Sequence, residues 1–67
     1  MTRFDVVWGD PSDPTKTVVR GDEAVLEQTN KTGNRRLEVR SGDEQGVLFV
    51  ATVGPDHVLS YERDRGP

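Results

Sequence analysis

Apolar residues recur along this chain with a period of two, and one stretch breaks the alternation. Residues 3–8 put Phe4, Val6 and Trp8 on one side and Arg3, Asp5 and Val7 on the other, as a half-buried strand does. β-Branched Thr17, Val18 and Val19 predict a second strand over Thr15–Arg20. Residues 35–40 alternate again, with Leu37 and Val39 inward and Arg36, Glu38 and Arg40 outward; over 57–62, Leu59 and Tyr61 share one face. The exception is Gly46-Val47-Leu48-Phe49-Val50-Ala51-Thr52-Val53, apolar at both parities. Successive side chains of a strand point to opposite faces, so such a run requires cover on both. The pattern therefore predicts 46–53 as an interior strand with the other elements arranged around it.

Turn chemistry separates these segments. Gly9-Asp10-Pro11-Ser12-Asp13-Pro14 reads as a loop, because each proline lacks a donor and restrains its predecessor. Asn30-Lys31-Thr32-Gly33-Asn34 reads as a turn, and Gly54-Pro55-Asp56 as a tight hairpin connection. The segment 24–29 is ambiguous. Its Ala, Leu, Glu and Gln suit a short helix at 22–29, but its apolar residues are consecutive rather than three and four apart, which favours a strand. An internal echo points the same way: Val19-Arg20-Gly21-Asp22-Glu23-Ala24-Val25-Leu26 resembles Val39-Arg40-Ser41-Gly42-Asp43-Glu44-Gln45-Gly46-Val47-Leu48 with two insertions, as if one hairpin turn were used twice, and it matches 24–26 with the central run. Arg20-Gly21-Asp22 also spells the integrin-recognition tripeptide, and is read here as part of that turn. The expected fold class is all-β, a small antiparallel meander of about six short strands in a curled sheet or partly open barrel. The alternative is α+β with the helix at 22–29. One domain covers 1–62, with a charged flexible tail at 63–67.

Composition sharpens the picture. In 67 residues the hydrophobic fraction is 31%, with Val the commonest member, and there is no cysteine to staple a small core. Well-matched strands, a partner or a second copy must supply the missing stability. A net charge of −3 disfavours a nucleic-acid binder, which needs basic clusters for phosphates. The apolar runs fall far short of the roughly 20 residues a bilayer requires, and no signal-peptide core stands in the first 17 residues. A cytoplasmic protein is expected. Seven arginines against two lysines, with no isoleucine, fit a GC-rich bacterial or phage genome.

Chemistry is sparse. His57 is the only histidine and stands beside a turn; with no cysteine, a Cys–His pair is impossible. No catalytic residue, resident metal or cofactor is expected. Asp22, Glu23, Asp43 and Glu44 belong to turns at one end of a meander, where four carboxylates can meet a cation or a basic partner; solvated turns are the ordinary reading. Arg35, Arg36 and Arg40, with an exposed aromatic, are candidates for an anion or single-strand groove, against the ordinary reading of cross-strand pairs with Glu27. Val7, Val18, Val58 and Tyr61 are candidates for an interface, because Val7, Val18 and Val58 fall opposite the expected core face. The reading that follows is a small non-catalytic module that binds another protein or a second copy of itself through a sheet face or edge. The alternative is a small barrel for single-stranded nucleic acid or another anion.

Overall fold

The computed structural model describes residues 2–29, 31–42 and 46–64. Six strands follow one another: β1 (Thr2–Gly9), β2 (Thr15–Gly21), β3 (Glu23–Gln28), β4 (Arg35–Arg40), β5 (Val47–Val53) and β6 (Val58–Asp64). All pairings are antiparallel, in two three-stranded sheets ordered β2-β1-β6 and β3-β4-β5. The all-β class and the six short strands are as the alternation predicts. Residues 23–28 are strand, so the helix alternative does not hold. The sheets face each other as two layers and do not close into a barrel. β6 runs on to Asp64, which stands opposite Arg3, so residues 63 and 64 belong to the sheet rather than to a tail. Residues 65–67 lie outside the described residues.

The core fills the gap between the layers. Phe4, Val6 and Leu59 enter it from the first sheet, and Leu37, Val39, Ala51 and Val53 from the second. Trp8, Val19, Ala24 and Phe49 pack around its margin. The buried residues of β1 are those at the predicted parity, and Trp8 crosses to Phe49 in an edge-to-face contact.

The middle of the second sheet is β4, not β5. Leu37 and Val39 are fully buried, and β3 and β5 flank them on either side. This corrects the expectation that 46–53 is interior and covered on both flanks. With only two layers, nothing among the described residues covers the outer face of either sheet. The second apolar parity of β5 is left at the surface, and β5 itself lies at the edge. The polar alternation of β4 suits a central strand because its outward Arg36 and Arg40 are paired with Glu38 of the same strand and Glu23 of β3.

Two connections expected as hairpins are passages between sheets. β2 and β3 do not pair; the chain crosses at Gly21-Asp22, and Asp22 N–H donates to Arg40 C=O at 2.8 Å. Gly21 is buried there, and a Cβ on it would stand 2.8 Å from Val39 Cγ1 and 2.9 Å from Arg40 O. The absent side chain is what lets the first sheet turn into the second; such corners are where strands switch sheets. The echo of 19–23 in 39–44 is therefore not one hairpin used twice, since only the second copy joins paired neighbours. The integrin-like tripeptide likewise has its glycine buried in the corner. Gly54–His57 is a turn closed by His57 N–H to Gly54 C=O at 3.1 Å, and it too joins strands of different sheets.

Candidate interaction surface

β5 is uncharged from Gly46 to Gly54. β4 pairs with one side of it, and no strand among the described residues pairs with the other. The register steps from Val39↔Phe49 to Arg40↔Val47, so Leu48 is the extra residue of a bulge. Beyond the bulge, Phe49, Ala51 and Val53 face the core, while Val50 and Thr52 stand on the outer face opposite Glu38 and Arg36. Val47, Leu48 and Val50 are 49, 47 and 44% exposed, a concentration of bare aliphatic surface on one strand.

The free backbone groups follow from the hydrogen bonds already made. Arg40 C=O accepts from Asp22, so it points away from β5. Polar groups alternate along an antiparallel strand, so those of Val39 and Leu37 point toward β5 and meet those of Phe49 and Ala51. The N–H and C=O of Val50 and Thr52 are then turned to the open edge. The other three edges differ in charge: β2 carries Lys16 and Arg20, β3 carries Glu23 and Glu27, and β6 carries Glu62, Arg63 and Asp64. Charged side chains on an edge discourage pairing with another chain. β5 has none.

The outer face of the second sheet is held by an ion-pair row. Glu38, between Val25 and Val50 in the ladder, is only 8% exposed. It accepts from Arg40 Nη2 at 2.8 Å and lies 3.4 Å from Arg36 Nη2, while Arg40 also lies 3.8 Å from Glu23. The Arg40 hydrogen bond holds the Glu38 carboxyl below its usual range, with the charges of Arg40 and Arg36 adding to it against burial. Arg40 is raised in turn, first by that hydrogen bond. Arg36 stands opposite Glu27 in the register, but its ion pair is with Glu38. Arg35 has the opposite parity and donates to the carbonyl of His57, tying β4 to the β5–β6 turn. The structure therefore does not gather Arg35, Arg36 and Arg40 into one basic face.

Val7, Val18 and Val58 share the outer face of the first sheet. Val18 stands opposite Asp5 and Val58 opposite Gly9, so with Val7 they run diagonally across all three strands. Val18 is 60% exposed; Val7 and Val58 are half-buried among Lys16, Asp5, Ser60 and Glu62. Tyr61 belongs to the opposite parity, opposite Val6, and its ring stands edge-on to Phe4 with centroids 6.1 Å apart. The four interface candidates thus lie on two faces.

Of the acidic-turn candidates, Asp22 receives a hydrogen bond from Gly42 N–H, which brings its corner beside the β4–β5 turn. Glu23 opens β3 beside Arg40. Asp43 and Glu44 lie outside the described residues. In the β1–β2 loop, Asp10 accepts from the backbone N–H of Ser12 at 2.9 Å and from its hydroxyl at 2.8 Å, and the backbone bond chiefly holds its carboxyl below the usual range. Trp8, Gly9, Thr52, Val53, Gly54 and His57 line an open cleft of about 220 Å³ at this end. No helix of the described residues is long and apolar enough to cross a membrane.

No family model, no curated protein and no solved structure matches the chain. The feature that periodicity missed is that the least polar segment is also the exposed edge; the signal available was its lack of charge, which the other edge strands do not share.

Proposed function

We propose that this protein is a non-catalytic interaction module that binds an extended strand along the free edge of β5. One observation carries the reading: the open N–H and C=O groups of Val50 and Thr52 lie on an uncharged strand whose Val47, Leu48 and Val50 are nearly half exposed. Strand addition takes its affinity from main-chain hydrogen bonds and its selectivity from alternate side chains, and β5 offers both. His57 stands exposed in a turn, and the Ser12 hydroxyl is committed to Asp10, so neither supports a catalytic reading. The anion reading has less support, because Arg36 and Arg40 are engaged by Glu38 and Arg35 by a backbone carbonyl.

The test compares two baits in a lysate of the native host, the wild-type chain and Thr52→Pro. Proline removes an N–H that faces the open edge, a position where edge strands tolerate it. A protein held by the wild type and released by Thr52→Pro is expected. Identical capture by both baits overturns the β5 edge as the binding surface.

A further inference from the structure

Resting on the β5 reading above, we infer that the strand added to β5 is β5 of a second copy of this chain. The two run antiparallel about a two-fold axis through Ala51 and join the β3-β4-β5 sheets of both copies into one six-stranded sheet.

The register follows from which backbone groups are free. Hydrogen-bonded pairs alternate with non-hydrogen-bonded ones along an antiparallel ladder, and on β5 the residues whose polar groups are free for the bonded pairs are Val50 and Thr52. The bulge at Leu48 limits the regular segment to Phe49–Val53, whose centre is Ala51. A two-fold axis there sets Val50 opposite Thr52 of the second copy, and Thr52 opposite its Val50. Every free N–H and C=O of the segment then finds a partner.

The side chains fit the same arrangement. On the outer face two β-branched residues, Val and Thr, meet in each pair, a favourable cross-strand combination. On the core-facing side Phe49 meets Val53 of the second copy, and the two small Ala51 side chains share the axis between the bulky ones.

Charge selects the occupant. The chain carries −3, so two copies repel each other overall, and a contact that brings no further charge together adds nothing to that repulsion. β5 is the one edge among the described strands where no charge enters the contact. Its neighbours Arg36 and Arg40 are already paired with Glu38 and Glu23 within their own sheet. A strongly acidic or basic peptide finds no opposite charge along β5, whereas another β5 matches it in being uncharged. Self-pairing is isologous, so one strand supplies both halves of the contact.

The experiment is light scattering of the full chain over a concentration series, with amide exchange followed by NMR on the same samples. A mass double the monomer's 7.5 kDa is expected. Exchange of the Val50 and Thr52 amides should slow about tenfold or more as the dimer fills. Thr52→Pro should return the mass to the monomer with an unchanged circular dichroism spectrum. If that variant unfolds, Val50→Lys decides, since it leaves the β4 pairing intact and places a charge at each new pair. A wild-type chain that stays monomeric up to ~1 mM overturns the inference. So does a dimer that persists in the folded variant, or a dimer whose Val50 and Thr52 amides exchange freely. A monomer that still captures a partner in a Thr52-dependent way removes self-pairing and leaves the interaction reading standing.

Discussion

The Trp8 indole stands edge-on to the Phe49 ring, with centroids 6.2 Å apart and planes at 61°. One ring comes from each sheet, and the indole N–H donates to Thr17 Oγ1 at 3.0 Å, which fixes its orientation. Phe49→Ala removes the partner that joins the sheets at this margin. It is expected to cost about 3 kcal/mol, the low end for Phe→Ala, because Phe49 is only partly buried. Urea unfolding measures the loss. Trp8 is the only tryptophan, so its emission should shift red in the same variant.

Gly21→Ala tests the corner between the sheets. Its new methyl would meet Val39 Cγ1 at 2.8 Å and Arg40 O at 2.9 Å, and the carbonyl belongs to backbone that cannot swing aside. A destabilisation of about 1–3 kcal/mol is expected, as for overpacking in a tight core. Gly54→Ala is the control: its nearest contact is His57 Nδ1 at 3.7 Å, and it should lose clearly less in the same denaturation series.

Leu26 and Leu37 are directly opposite in the β3–β4 ladder and share one parity, yet they should respond differently to the same truncation. Leu37 is fully buried and Leu26 is 47% exposed, because β3 projects beyond the first sheet. Leu37→Ala should cost about 2–5 kcal/mol, enough to unfold most of a small domain, and Leu26→Ala less than about 1 kcal/mol. Equal losses in thermal or urea melts would contradict the layer arrangement.

Glu38 gives the protein an acid limb. Its carboxyl titrates below the ordinary 4.5 because Arg40 hydrogen-bonds the charged form. A group depressed in the folded state stabilises fully above its unfolded value, and the contribution vanishes as pH falls through the folded value. Glu38→Gln should therefore lower stability near neutral pH and flatten the loss below 4.5, so that variant and wild type converge in acid. Denaturant midpoints across that range decide it; parallel curves would show that Glu38 does not carry the dependence.

Much of the architecture was legible from alternation alone. Phe4, Val6, Leu37, Val39 and Leu59 fall in the core at the parities their neighbours dictate, because a strand's two faces are a local property of the chain. Sheet membership was not. Whether Gly21-Asp22 turns a hairpin or a corner depends on Val39 and Arg40, some 18 residues further along, and on a clearance only glycine supplies. The same limit hid the place of β5. An apolar run states that both faces favour cover, but not that the chain has a third layer to provide it. The arginines were misleading for a related reason: adjacent Arg35 and Arg36 point to opposite faces, Arg36 pairs with Glu38 on its own strand, and Arg35 is bound by the carbonyl of His57, 22 residues further along.

β1 takes its second neighbour from β6, so Arg3 is matched with Asp64 across nearly the whole length of the chain. During synthesis the β1–β2 hairpin and the β3-β4-β5 sheet can form as each emerges from the ribosome. The first sheet stays one strand short until residues 58–64 follow. Until then β1 offers an open flank of its own, and the nascent protein depends on its slowest, most distant pairing to close it.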